Sequence, residues 1–176
     1  MPKPPLPNIV SEKEWQEARR ALRKKEKERT RAYDARNAER RRLPMVRVED
    51  DYQFEGPKGK VSLLDLFEGR RQLIVYCAML EPGANPCSGC SMVMDSIGHN
   101  LHPIRARDTS LVFTSPAPQE EIAALQNRLN WSTPWYTDPG RKFAVAFGAG
   151  KGFAINVFLR DDGDVVYRTY YSTANE

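Results

Sequence analysis

The residues of this sequence best suited to chemistry are two cysteines, Cys87 and Cys90, in the segment Cys-Ser-Gly-Cys. A loop rich in Pro, Gly and Asn, residues 81–86, leads into Cys87, where a helix is predicted to begin. The first turn of a helix carries unpaired N–H groups and the positive end of the helix dipole, and both favour thiolate over thiol. We therefore expect the pKa of Cys87 to fall into the range of about 3.5–7.5 found at such positions.

This placement predicts a redox-active pair, because thiolate is the attacking species in disulfide exchange. Cys90 follows Cys87 by about one helical turn, and it could close a disulfide with it. Ser88 and Gly89 are small and are expected to leave both sulfurs accessible, while Pro86 stiffens the approach to the helix. We predict Cys87 and Cys90 as the catalytic residues, with Pro86, Ser88 and Gly89 close to the substrate.

Half of a zinc site is the alternative interpretation of Cys87 and Cys90, since a structural zinc ion needs about four ligands. The side chains that could complete such a site are Cys77, His99 and His102. If one helix continues to about residue 104, His99 lies about 13 Å along it from Cys90, which is too far to share an ion. We therefore predict no metal and no other cofactor, and chemically idle thiols remain the second alternative.

The third cysteine and the tryptophans are interpreted first as packing residues. Cys77 lies in the apolar run QLIVYCAML, which predicts a buried strand, so an inert core thiol is favoured over a third redox partner. Trp131 and Trp135 flank Pro134, and core packing is favoured over a substrate platform. Trp135 is nevertheless kept, together with Phe153, as a candidate residue near the substrate.

Length and composition indicate one domain with an extension. The 176 residues allow a sizeable core without disulfides, and three cysteines are too few for a disulfide framework. In an intracellular protein, a C-x-x-C pair points to redox chemistry or metal binding. The sequence offers no apolar run of the length of a signal peptide or a membrane span, so we expect a cytoplasmic protein that does not enter membranes.

Basic charge is concentrated near the N-terminus. Residues 1–43 hold 14 Lys or Arg against 7 Asp or Glu, whereas the remaining residues hold 13 against 16. The basic residues are interspersed with acids and accompany no base-reading groups, so nucleic acid is not expected as a partner. Residues 1–10 are rich in proline and are predicted to form a disordered leader.

Residues 11–43 are predicted to form a helical extension. Ser11 and Glu14 fit a capping box, and a helix should run from about residue 12 to about residue 42, before Pro44. Apolar residues occur near both ends of this helix, but its middle is almost wholly charged. It is therefore either a solvated arm or an arm that packs on a second subunit and forms a homodimer.

Residues 44–176 alternate strands and helices, which predicts an α/β domain with a parallel sheet core and helices on both faces. A closing hairpin should add antiparallel strands at one edge. The predicted strands are 46–54, 60–63, 72–80, 109–114, 135–137, 153–160 and 165–171, and the main helices are 87–104, 119–129 and 141–147.

From about residue 10 to about residue 172, the chain resembles a bacterial family described as domain of unknown function eight-nine-nine, which belongs among thioredoxin-like proteins. The segments that carry the resemblance are EWQEARRALRKKEKERTRAYDARNAERRRLP, VSLLDLFEGRRQLIVY, PCSGCS, SLVFTSPAP and LNWSTPWYTD. The wider layout is similar to peroxiredoxins and to proteins like alkyl hydroperoxide reductase. The resemblance implies a thioredoxin-like mixed sheet flanked by helices, with Cys87 as the nucleophile and Cys90 as the resolving cysteine.

Two positions differ from those relatives. Peroxiredoxins place Thr or Ser three residues before the peroxidatic cysteine, where this chain has Ala84, and thioredoxins place a cis-proline before the facing strand, where residues 149–153 contain none. The chain ends soon after the closing hairpin, so we expect the final helix of the fold to be missing and the N-terminal helix to be a candidate for covering that face.

The predicted function is a thiol–disulfide oxidoreductase that acts on a disulfide-bearing protein or a small thiol substrate. The alternatives are a peroxiredoxin-like thiol peroxidase and a non-catalytic thioredoxin-like interaction module.

Overall fold

A computed structural model describes residues 5–97, 100–150 and 152–173. The chain divides into two compact units, Met1–Leu43 and Pro44–Glu176. The first unit is built on one long helix, α1 (Glu12–Arg40), and residues 5–10 before it belong to no helix or strand.

A capping box starts α1, as the sequence predicts. The Ser11 hydroxyl accepts a hydrogen bond from the Glu14 N–H at 3.3 Å, and the Glu14 carboxylate accepts one from the Ser11 N–H at 2.9 Å. These two bonds satisfy N–H groups that a helix start otherwise leaves unpaired. The helix ends at Arg40, two residues before the predicted end, and none of its residues is buried.

The second unit contains, within its described residues, one eight-stranded sheet with the order β1-β8-β7-β4-β5-β6-β2-β3. Strands β4, β5 and β6 pair in parallel, and the remaining neighbours pair in antiparallel fashion. The strands are β1 (Val46–Arg47), β2 (Gln53–Gly56), β3 (Gly59–Ser62), β4 (Gln72–Cys77), β5 (Thr109–Ser115), β6 (Trp135–Thr137), β7 (Ala154–Arg160) and β8 (Val166–Thr173).

Helices cover both faces of this sheet, and the predicted mixed α/β architecture is confirmed. They are α2 (Ser88–Ile97), α3 (His102–Arg105), α4 (Gln119–Leu129) and α5 (Lys142–Ala146). Side chains alternate between faces along a strand, so β4 contributes to two cores. Leu73, Val75 and Cys77 pack with the α5 residue Phe143, whereas Tyr76 packs with residues of α2 and α4.

The predicted strand over residues 46–54 is wrong, because this segment forms two strands in opposite halves of the sheet, β1 at one edge and β2 next to the other edge strand, β3. β1 pairs with β8, whereas β2 pairs with β3 and β6. Glu49, Asp50 and Asp51 separate the two strands, and acidic residues are poorly represented within strands.

The predicted helix over residues 87–104 is also two helices. α2 ends at Ile97, and α3 begins at His102, whose N–H donates to the Asn100 side chain at 3.1 Å. Pro103 lies in the first turn of α3, where a missing N–H costs nothing. The strand predicted over residues 72–80 ends at Cys77, where its pairing with both neighbours stops.

Candidate redox site

Cys87 immediately precedes the first residue of α2, at the amino end of the helix. Its carbonyl accepts the first hydrogen bond of the helix, from the Ser91 N–H at 2.9 Å. Its own N–H donates to the Met79 carbonyl at 3.4 Å, which joins the start of α2 to the segment that follows β4. The side chain is partly exposed, so another molecule can reach the sulfur.

The first turn of α2 stabilises the Cys87 thiolate. Hydrogen bonds from the backbone N–H groups of Cys90 and Gly89 lower the pKa of Cys87. Gly89 and Cys90 are the second and third residues of the helix. A capping side chain normally accepts its hydrogen bond from the N–H groups at these two positions. The Cys87 sulfur therefore acts as the acceptor at a helix start, and its pKa moves in the direction that the sequence predicts.

Cys90 has the opposite character. Its side chain is 3% exposed, and burial raises the pKa of its thiol. The Met79 N–H and the Tyr76 O–H, 3.5 and 3.6 Å from the Cys90 sulfur, partly oppose that rise. The nearby Cys87 thiolate adds to the rise in the pKa of Cys90. The expectation that both sulfurs are accessible is thus right for Cys87 and wrong for Cys90, because Cys90 faces the core beneath α2.

Four of the five residues predicted near the substrate lie around these sulfurs. Ser88 and Gly89 are exposed, and a Cβ built on Gly89 would lie 3.7 Å from the Cys87 sulfur. Pro86 is half-buried directly before Cys87. Phe153 is half-buried directly before β7 and packs on the same cluster of residues as Cys87.

Trp135, the fifth candidate, belongs to the core. It is 3% exposed, and its indole N–H donates to the Ser115 hydroxyl at 2.9 Å. Its ring lies 6.2 Å from that of Trp131, whose own N–H donates to the Asp95 carboxylate of α2 at 2.7 Å. Trp135 therefore does not line a substrate surface. The burial of both tryptophans agrees with the core packing that the sequence favours for them.

Cys77 lies on the opposite face of the sheet from Cys90, because the two residues belong to different core clusters. Its side chain is 1% exposed, and burial raises the pKa of its thiol to about 12. These properties fit the predicted inert core residue and leave no path to the Cys87–Cys90 pair. Cys77, Cys87 and Cys90 are all free cysteines.

His102, one of the histidines considered as zinc ligands, does not lie on the same helix as the cysteines. His102 begins α3, and His99 lies outside the described residues. Among the residues that the structure describes, no group of three or more His, Cys, Asp or Glu side chains could hold a metal ion. In the same residues, no helix is both long and apolar enough to span a membrane.

Sequence reasoning missed two residues of the site, Tyr76 and Arg141. Tyr76 donates to Cys90 from β4, and strand alternation could have placed it on the face that the following helix covers. Arg141 donates to the Gly150 carbonyl at 2.9 Å and pairs with the Glu81 carboxylate. It thereby links the loop before Cys87 to the loop before β7, and no local pattern signals that contact.

The sequence matches, over residues 4–175, the family described as a bacterial protein of unknown function (DUF899). The chain belongs to this family. The resemblance stated from the sequence is confirmed. No curated protein matches the chain.

Solved structures of similar fold include three bacterial proteins. Peroxidoxin BcpB from Mycobacterium tuberculosis has a TM-score of 0.55 and 16% identity, with 74% of this chain and 88% of that chain covered. A candidate thiol:disulfide interchange protein DsbE from Chlorobium tepidum has a TM-score of 0.51 and 14% identity, with 72% and 85% covered. The hypothetical protein SMc02350 from Sinorhizobium meliloti has a TM-score of 0.50 and 15% identity, with 70% and 68% covered. This likeness shows that the domain has a thioredoxin-like fold.

Proposed function

We propose that the protein is a thiol–disulfide oxidoreductase in which Cys87 attacks and Cys90 resolves. The observation that carries the proposal is the contrast between the two sulfurs at the first turn of α2. Cys87 is partly exposed, and two backbone N–H groups lower its pKa, whereas Cys90 is buried and its pKa is raised. An accessible thiolate beside a protected thiol is the arrangement that a two-step exchange requires.

In the first step, the Cys87 thiolate attacks one sulfur of a substrate disulfide. A bond forms between that sulfur and Cys87, the substrate disulfide breaks, and one substrate thiolate leaves with the electron pair. In the second step, Cys90 attacks the Cys87 sulfur, and the second substrate thiolate leaves. The substrate gains two electrons, the protein forms a Cys87–Cys90 disulfide, and the proton of Cys90 ends on a released thiol. A disulfide-bearing protein or a small disulfide fits this chemistry, and an external thiol restores the dithiol.

The test uses a Cys90→Ser variant exposed to glutathione disulfide. Because the resolving sulfur is absent, we expect a stable mixed disulfide on Cys87, detected by intact mass and located by peptide mapping. The matched control is Cys87→Ser, whose remaining thiol at position 90 is 3% exposed and should form no adduct. Equal labelling of both variants, or no adduct on Cys87, contradicts the proposal.

A thiol peroxidase is the alternative use of the same sulfurs. The residue three positions before Cys87 is the exposed Ala84, which offers no hydroxyl to hold a peroxide. We therefore expect the Cys87 sulfenate to form with hydrogen peroxide no faster than the sulfenate of free cysteine. Stopped-flow kinetics on the reduced protein measure this, and a rate orders of magnitude higher favours the peroxidase instead.

We also propose that α1 packs against a second copy of this chain. No residue of its 29 is buried, and it exposes about half of the Trp15 and Leu22 side chains. Most of the stability of a helix in a protein comes from packing of its apolar face, so the apolar stripe of α1 favours a partner surface. The basic extension and the net acidic remainder of the chain are complementary in charge.

Light scattering on the full chain tests this assembly. We expect a dimer for the natural sequence and a monomer for Trp15→Glu combined with Leu22→Glu, while Gln16→Glu, which adds the same kind of charge off the stripe, should remain dimeric. A natural chain that is monomeric at all concentrations contradicts the homodimer, and an unchanged dimer in the double variant contradicts the role of α1.

A further inference from the structure

The hydroxyl of Tyr76 is directed at the buried cysteine. Tyr76 belongs to β4, and its side chain is 4% exposed on the face of the sheet that α2 covers. Its hydroxyl oxygen lies 3.6 Å from the Cys90 sulfur, a distance suited to a hydrogen bond that sulfur accepts. The Met79 N–H also donates a hydrogen bond to this sulfur, at 3.5 Å.

Two aromatic neighbours hold the Tyr76 ring in this position. The ring stacks on Phe113 with centroids 4.7 Å apart, and on Phe153 with centroids 5.8 Å apart and planes at 3°. Aromatic pairs of this kind add stability beyond the area they bury. The two stacking contacts therefore hold the ring so that its hydroxyl oxygen stays beside the Cys90 sulfur.

The chemistry of the pair makes Tyr76 a donor and Cys90 an acceptor. Burial is the largest cause that raises the pKa of Tyr76, so the phenol keeps its proton near neutral pH. Burial also raises the pKa of Cys90, whereas the Met79 N–H and the Tyr76 O–H both lower it. A buried thiolate without donors is costly to form, so each donor increases the fraction of Cys90 able to attack.

We propose that Tyr76 is a positioning residue for the resolving step, in which its O–H donates to the Cys90 sulfur as that sulfur attacks the Cys87 mixed disulfide. This inference rests on the proposed oxidoreductase function. Cys90 first loses its proton to solvent, the Cys90–Cys87 bond forms, and the bond from Cys87 to the substrate sulfur breaks. The electron pair leaves with the substrate thiolate, which takes up a proton, and Tyr76 keeps its own.

Ellman's reagent separates the two steps in one experiment. Attack by Cys87 on this aromatic disulfide releases a first coloured thiolate, and resolution by Cys90 releases a second. In Tyr76→Phe, which keeps the ring, we expect an unchanged first phase and a second phase about tenfold slower at pH 7, because a rise of one unit in the pKa of Cys90 lowers its thiolate fraction tenfold. Tyr136→Phe, in β6, is the matched control and should leave both phases unchanged.

The pH dependence separates donation from a loss of structure. Above the higher pKa that Cys90 has in Tyr76→Phe, the thiolate is fully formed in both proteins, so the second-phase rate of the variant should equal or exceed that of the natural chain. A structural defect would instead slow the second phase at every pH. If Tyr76→Phe does not fold, 3-fluorotyrosine placed at position 76 supplies a stronger donor, and the second phase should become faster.

Two outcomes distinguish failure of this inference from failure of the proposed function. A second phase with the same rate and pH profile in Tyr76→Phe overturns the role of Tyr76 and leaves the oxidoreductase intact. A natural chain that releases no second thiolate contradicts the two-step function. The pKa of Cys90, followed by its ¹³Cβ chemical shift in the reduced protein, tests Tyr76 without turnover, and an unchanged pKa in Tyr76→Phe overturns its role.

Discussion

The N–H of Gly89 provides a direct test of why Cys87 is reactive. Replacing Gly89 by Pro removes one of the two backbone donors to the Cys87 sulfur, whereas replacing it by Ala keeps that donor. Both variants add a Cβ, which would lie at an ordinary contact distance of 3.7 Å from the sulfur. Position 89 lies in the first turn of α2 and outside the left-handed backbone region, so both residues are compatible with its conformation.

The size of the effect follows from the worth of one hydrogen bond to a charged group, about 1.5–3 kcal/mol. Since one pKa unit corresponds to about 1.4 kcal/mol, the loss of the Gly89 donor should raise the pKa of Cys87 by about one unit. The lower end of the range applies because the Cys87 side chain is partly exposed and water can replace part of the lost interaction. Gly89→Ala should shift the pKa by no more than a few tenths of a unit.

The assay is the pH dependence of alkylation by iodoacetamide in a Cys90→Ser background, where no internal disulfide can form. Cys77 should not contribute, because it is 1% exposed and burial raises its pKa to about 12. All three proteins compared carry this background: the parent with Gly89, Gly89→Ala and Gly89→Pro. The loss of the Cys90 thiol therefore cancels in the comparison. Equal midpoints for the two Gly89 variants would refute the role of the Gly89 N–H, and a parent midpoint at the ordinary thiol pKa would refute the helix-start argument altogether.

Three further predictions concern stability. Arg141→Met removes the ion pair with Glu81 and the hydrogen bonds to the carbonyls of Gly150 and Gly152. Thermal unfolding should therefore show that the free energy of unfolding falls by about 1–3 kcal/mol. Lys142→Met, at an exposed position, should change it very little. Ser11→Ala should reduce the stability of α1 by about 0.5–2 kcal/mol, seen as lower helical circular dichroism, and an unchanged spectrum contradicts the capping box. In the Cys90→Ser background, the lowered pKa of Cys87 should make the free energy of unfolding depend on pH. The free energy should rise as pH increases from the pKa of Cys87 in the folded protein to its pKa in the unfolded protein. The contribution is lost as pH falls through the folded value. Urea unfolding across that window measures it, and a flat profile contradicts the shift.

Local signals in the sequence were sufficient where neighbouring residues decide the structure. Ser11 and Glu14 are three residues apart and cap α1 as predicted. The apolar run that contains β4 is central because both of its faces are covered, and such strands read as continuous hydrophobic segments. The helix start at Cys87 is also a local property, since a Pro-containing loop meets a segment of small residues there.

Pairing partners and long-range contacts were beyond the sequence pattern. Residues 46–54 can read as one strand, because a local pattern does not say that Val46 will pair with Arg168 while Glu55 pairs with Thr137. The contact of Tyr76 with Cys90 depends on the packing of α2 over β4. The contact of Arg141 with Gly150 depends on two loops that meet only in the folded domain.

The opposite characters of the two cysteines follow from one helical register. Cys87, just before α2, has its sulfur over the free N–H groups of the first turn, where solvent can reach it. Cys90 and Met94 are four residues apart and both buried, so they define the face that α2 turns toward the sheet. The two cysteines of this C-x-x-C pair therefore differ in exposure and in the direction of their pKa shifts, because only the second lies on the buried face of α2. Here that face meets Tyr76, so the tyrosine hydroxyl has a hydrogen-bond partner within this largely apolar core.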